Sequence, residues 1–126
     1  MKIEVVNLNF NDFEDSEYFY IGRGSSLGNP WTHKKSKYAR FKVGSREESI
    51  EKYREWIEAR LKVYTSPQRL QIDECVKELV KKGELRLGCF CKPLPCHGDV
   101  LSEIIMNRAE ARKKSLDELF NDFEWQ

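Results

Sequence analysis

From Lys2 to Leu8 polar and apolar positions alternate, with β-branched Ile3, Val5 and Val6, and the stretch reads as a strand. Tyr18 to Ile21 is a second, aromatic strand that runs into a glycine turn. The period then changes. Ser45 with Glu48 three residues on is a capping box, and Ile50, Tyr53, Ile57, Leu61 and Tyr64 follow at helical spacing. Ser66-Pro67 opens a second helix, with Ile72, Cys75, Val76, Leu79 and Val80 on its inner face and Gly83 as its stop. Glu84 to Phe90 is the third strand, with Leu85, Leu87 and Cys89 alternating. A helix from Gly98 to Arg112 follows, carrying Val100, Leu101, Ile104 and Ile105, and Ser115 with Glu118 caps a last short one.

The order β-β-α-α-β-α-α predicts a small α/β fold: a Rossmann-like layer with a short, mostly parallel sheet and flanking helices. Residues 1–112 form the domain. Residues 113–126 are an acidic amphipathic helix or tail, whose Leu116, Leu119, Phe120, Phe123 and Trp125 suit burial either on its own domain or on a second copy, as in a homodimer.

Length supports this picture, because 126 residues bury enough surface for one core without disulfides. No apolar run approaches the ~20 residues of a membrane span, so no membrane partner is expected. The N-terminus is too short and too acid-flanked for a signal peptide. A cytoplasmic location follows, in which cysteines are thiols or metal ligands rather than disulfides.

Charge is unevenly spread. Seven basic residues and no acid lie between Ile21 and Arg46, while acids gather near the N-terminus and in the tail. Such a surface suits a protein that holds an anion in one place.

The chemistry concentrates in LGCFCKPLPCHGDVL, residues 87–101. Three of the four cysteines and one of the two histidines fall between Cys89 and His97. Cys75 is separate, on the apolar stripe of its helix, and reads as a core residue. Cys96 and His97 stand near a helix start, where free N–H groups favour anions and lower a thiol pKa. In a catalytic reading Cys96 is the nucleophile, His97 the acid or base, and Asp99 orients the imidazole. In a structural one, Asp99 only favours the helix start and Cys96 is buried and inert. Cys89, Cys91, Cys96 and His97 also have the donor types of a zinc site, although nine residues is a short span for four ligands.

A second constellation, Gly22-Arg23-Gly24-Ser25-Ser26-Leu27-Gly28-Asn29-Pro30, follows the second strand. Its glycines allow close backbone approach to a ligand and an anion nest. Arg23 supplies a fork for phosphate or carboxylate, and Ser25 a hydroxyl. The loop is neither a Walker loop nor GxGxxG.

Taken together, GRGSSLGNPW, SREESIEKYREWI and LRLGCFCKPLPCHGDVL resemble the bacterial and phage family called domain of unknown function 4326. The resemblance runs from about Tyr18 to Ile105. It places the family pattern on the glycine loop with Asn29 and Pro30, on Arg46 and Tyr53, and on Gly88, Cys89, Cys91, Pro95, Cys96 and His97. Trp31 stands where the family more often has Phe. The resemblance implies a site and names no reaction.

If the second and third strands are parallel neighbours, the two loops face each other across one pocket at the carboxyl ends of the strands. Gly22, Arg23, Gly24, Ser25, Gly28 and Asn29 would then hold an anion, and Tyr20, Trp31 or Phe90 would stack on a base. The expected ligand is a nucleotide- or nucleoside-like small molecule, with hydrolysis or group transfer as the reaction. Two alternatives stay open. One is a non-catalytic protein that sequesters a nucleotide or binds nucleic acid through Lys34, Lys35, Lys37, Arg40 and Lys42. The other is a zinc-stabilised interaction module.

Overall fold

The computed structural model describes residues 1–35 and 39–124. Lys37 and Trp125 of the sequence reading lie outside them, as does the side chain of Phe123. The elements are β1 (Lys2–Asn7), β2 (Phe19–Tyr20), β3 (Trp31–Thr32), β4 (Phe41–Lys42), α1 (Arg46–Leu61), α2 (Pro67–Lys82), β5 (Glu84–Cys89) and α3 (His97–Glu124). A 3-10 turn at Asp15–Glu17 precedes β2. This is the small α/β fold expected, and every strand pair in it is parallel.

β5 is the central strand of the main sheet, in the order β1-β5-β2. It pairs along its whole length with β1, from Lys2↔Glu84 to Asn7↔Cys89. On its other side Phe19↔Leu87 and Tyr20↔Gly88 register β2. The condition for a shared pocket is therefore met: β2 and β5 are parallel neighbours, and their carboxyl ends lie side by side. The pair β3–β4 forms a separate two-stranded ribbon with Trp31 opposite Phe41. β3 and β4 are two residues each and carry no readable period, and no run of aromatic and β-branched residues like that of β2 marks them.

The helices follow their caps. Ser45 accepts from Glu48 N–H at 3.1 Å to open α1, and Ser66 accepts from Arg69 N–H at 3.1 Å to open α2. Gly83 ends α2, its N–H closing on the Leu79 carbonyl at 2.8 Å. Ile72, Cys75, Val76 and Leu79 are buried as expected. In α1 the buried stripe is Ser49, Tyr53, Ile57 and Leu61. Tyr64 is not part of it: the helix stops at Leu61, and Tyr64 is exposed under the Arg69 guanidinium.

α3 is one continuous helix, not the two that Ser115 suggested. Ser caps a helix only where the preceding residues leave it, and no Gly or Pro interrupts the chain between Gly98 and Glu124. Its first half packs Val100, Leu101, Ile105 and Ala109 into the core against α2 and the sheet. Residues 110–121 are all exposed, Leu119 and Phe120 among them.

Candidate ligand cleft

The glycine loop is tied to itself and to α1. Ile21, fully buried, ends the strand region by donating to the Gly88 carbonyl at 2.9 Å. The chain then turns back, with Ser25 N–H and Oγ–H both donating to the Gly22 carbonyl, at 3.1 and 2.7 Å. Gly24 takes φ 98°, a conformation that L side chains rarely adopt. Leu27 plunges into the core, and its carbonyl accepts from Tyr53 Oη–H at 2.6 Å. Asn29 donates from Nδ2 to Ser49 Oγ at 2.9 Å, and its Oδ1 accepts from Trp31 N–H at 2.9 Å. Ser49 Oγ in turn donates to the Trp31 carbonyl at 3.0 Å.

Arg23 belongs to the same brace. Its Nε donates to the Asn29 carbonyl at 3.1 Å and its Nη2 to the Trp31 carbonyl at 2.9 Å. The fork expected to grip an anion thus spends two donors on shaping the loop.

The cysteine loop is braced from β1 and α1. Asn7 Nδ2 donates to the carbonyls of Phe90 at 3.2 Å and Lys92 at 2.7 Å. Arg46 Nη1 donates to the Pro95 carbonyl at 3.1 Å. α3 starts at His97 with Asp99 in its first turn. The Asp99 carboxylate accepts from Cys96 N–H at 3.1 Å and pairs with Lys92. That is a capping role: Asp99 holds the helix start and makes no bond to His97.

His97 is 5% exposed, with its ring edge-on to Tyr53 at 5.0 Å between centroids. Nε2–H donates to the Ile21 carbonyl at 2.5 Å, which binds α3 to the end of β2. Burial pushes the imidazole below its ordinary value; the Ile21 hydrogen bond opposes this without reversing it. The folded protein therefore keeps His97 neutral. Below the unfolded histidine value of about 6.5 the unfolded chain takes up a proton that the folded chain does not. Stability is expected to fall as pH drops from about 6.5 towards the lowered folded value. Urea melts at about pH 7.5 and about pH 5.5 test this, and His97→Gln should lose less on acidification than the natural protein. Equal losses in the two proteins would show that His97 is not the titrating group.

Cys89 Sγ and Cys96 Sγ lie 3.9 Å apart, and Cys91 couples to both. They titrate as a set. The neighbouring Cys91 and Cys96 thiols, with backbone N–H groups of Cys91 and Lys92, push the Cys89 thiol down. Cys91 and Cys96 are pushed up as the donors. Ionisation in this coupled set is favoured at Cys89, although Cys96 is the thiol that the sequence singles out. Cys75 is fully buried in α2, and burial raises its thiol to about 12.

Among the described residues no group of three or more His, Cys, Asp or Glu side chains is arranged to hold a metal ion. Cys89, Cys91, Cys96 and His97, the expected zinc set, are therefore not assembled as such a group.

Between the two loops lies a cleft of about 680 Å³, within the range of small-molecule sites. Gly22, Arg23, Gly24 and Asn29 line one side and Cys89, Cys91, Cys96 and His97 the other. Among the described residues that line it are His33, Lys34, Lys35 and Arg46, and none is Asp or Glu. Tyr20 and Phe90 meet edge to face at 6.0 Å on its wall. Four predicted residues stay out of the lining. Ser25 and Gly28 shape the loop, Asp99 caps α3, and Trp31 packs between Phe41 and Trp56 at 5.4 and 6.2 Å.

Other contributors were hidden in the sequence. Asn7 and Ser49 have no signature, because a lone polar residue near an apolar stripe looks like surface. Arg46 was visible as the last of the seven basic residues and through the family pattern.

A parallel α/β sheet with a cationic, thiol-walled cleft at the carboxyl ends of its strands defines the class of this protein. The chain belongs to the family described as Domain of unknown function (DUF4326), which matches residues 7–107. It is 33% identical over 102 residues to the "Uncharacterized 12.4 kDa protein in nrdA-td intergenic region" of Enterobacteria phage T4, covering 80% of this chain and 75% of that one. No solved structure matches the chain. No described helix is long and apolar enough to cross a membrane.

Proposed function

We propose that this is a cytoplasmic protein that binds a nucleotide- or nucleoside-like anion in the cleft between the glycine loop and the start of α3. One observation carries the reading: the described lining holds Lys34, Lys35, Arg46 and His33 and no carboxylate. Cations without competing acids raise the local concentration of a polyanion. Among the described residues Arg46 makes one side-chain bond, to the Pro95 carbonyl, and a guanidinium has five donors to share with a phosphate oxygen. Tyr20 and Phe90 supply the flat apolar surface that a base requires.

Binding is better supported than turnover by Cys96 and His97. Cys96 is 3% exposed and keeps its proton, His97 is held on the Ile21 carbonyl, and Asp99 is engaged at the helix start. Hydrolysis or group transfer in this cleft would have to draw on the coupled Cys89, Cys91 and Cys96 thiols. The first test is thermal denaturation with a panel of nucleosides and nucleoside mono-, di- and triphosphates. A ligand that binds only the folded state raises the melting temperature with its concentration. The reading expects phosphorylated members to do so and free nucleosides to do so less. A panel without effect at millimolar concentration would overturn it.

A further inference from the structure

We propose that Cys89 and Cys96 form an oxidisable dithiol in the wall of the cleft, with hydroperoxides as the oxidant class. The inference concerns the sulfurs themselves and does not depend on what the cleft binds. Their Sγ atoms are 3.9 Å apart, against about 2.05 Å in a disulfide. Cys89 is the last residue of β5 and Cys96 immediately precedes α3. The residues between them form no regular element, so a small approach of the two sulfurs deforms neither strand nor helix.

Both thiols line the cleft, and Cys91 beside them is half-buried, with exposed Phe90 and Leu94 as its neighbours along the chain. Cys89 and Cys96 are 1% and 3% exposed, so a small peroxide approaches them through the cleft, which Cys75 does not line.

The chemistry closes without another reagent. The Cys89 sulfur attacks the peroxide oxygen and breaks the O–O bond, giving a sulfenic acid and releasing an alcohol, or water from hydrogen peroxide. The Cys96 sulfur then attacks the Cys89 sulfur and expels the hydroxyl, which leaves as water with the thiol proton. In sum, two thiols and one hydroperoxide give one disulfide, one alcohol and one water. The new bond ties the end of β5 to the start of α3, the two elements that make this wall of the cleft.

The test uses the full chain, reduced and then treated with one equivalent of hydrogen peroxide. Remaining thiols are blocked with N-ethylmaleimide, and the protein is digested without reduction for mass spectrometry. The expected peptide, residues 87–108, has lost two hydrogens and carries one maleimide, on Cys91. Cys91→Ser should still form the bond. Cys96→Ser should stop at a Cys89 sulfenic acid that dimedone traps. Four free thiols after treatment, or a bond that includes Cys91 or Cys75, would overturn the assignment. So would a folded Cys91→Ser protein that forms no bond. If Cys96→Ser does not fold, the map of the natural protein and of Cys91→Ser decides.

Discussion

Tyr53→Ala is expected to cost about 3–5 kcal/mol, the range for removing a buried aromatic ring. Domains of this kind are stable by only about 5–15 kcal/mol, so much of the variant should be unfolded at modest urea. The residue is fully buried on α1 and joins three parts of the molecule. Its hydroxyl donates to the Leu27 carbonyl at 2.6 Å, its ring meets His97 at 5.0 Å, and Trp56 packs beside it at 5.7 Å. Burial raises the phenol well above its usual value, so the donor stays protonated.

Tyr53→Phe separates the two contributions. It keeps the ring but leaves the Leu27 carbonyl without its partner in the core, a loss of about 1–3 kcal/mol. Urea denaturation of both variants gives the values. A Tyr53→Ala protein within about 1 kcal/mol of the natural one would show that the ring is not what holds the loop to α1.

Gly28→Ala is the second large effect. A Cβ at position 28 would lie 2.6 Å from the Gly22 carbonyl oxygen and 2.9 Å from Arg23 Cα. Both are backbone atoms, so the contact is relieved only by opening the loop. Overpacking of this kind costs about 1–3 kcal/mol. Opening also pulls Arg23 away from the Asn29 and Trp31 carbonyls, so ligand binding should be lost with the stability. Gly24→Ala is the comparison: its Cβ would meet nothing within 4 Å, and only the φ of 98° opposes it. Thermal melts and titrations of the two variants should rank Gly28→Ala as the more damaged. Unchanged melting and binding in Gly28→Ala would contradict this packing of the loop.

Much of the frame was legible because it rests on local rules. Ser45, Ser66 and Gly83 mark helix ends through their own hydrogen bonds. The apolar spacing of α2 and the alternation in β1 and β5 report burial directly. The meeting of the two motifs was conditional on strand order, which no local rule supplies. What misled was residue type taken without its surroundings. A glycine-flanked arginine suggests a free fork, yet Arg23 finds two carbonyls in its own loop. Asp99, two positions from His97, suggests a catalytic pair, yet its carboxylate accepts from Cys96 N–H. Trp31 suggests stacking on a base, yet Phe41 stacks on it and Trp56 meets it edge to face. Ser115 suggests a helix start, yet nothing before it ends the preceding helix.

Isothermal titration of the natural protein and of Arg46→Ala with nucleoside mono-, di- and triphosphates tests the central claim most directly. Saturable binding that weakens with salt and falls at least tenfold in Arg46→Ala, about 1.4 kcal/mol, is the expected result. No heat with any of these ligands, or equal affinity in the two proteins, would contradict an anion site in this cleft.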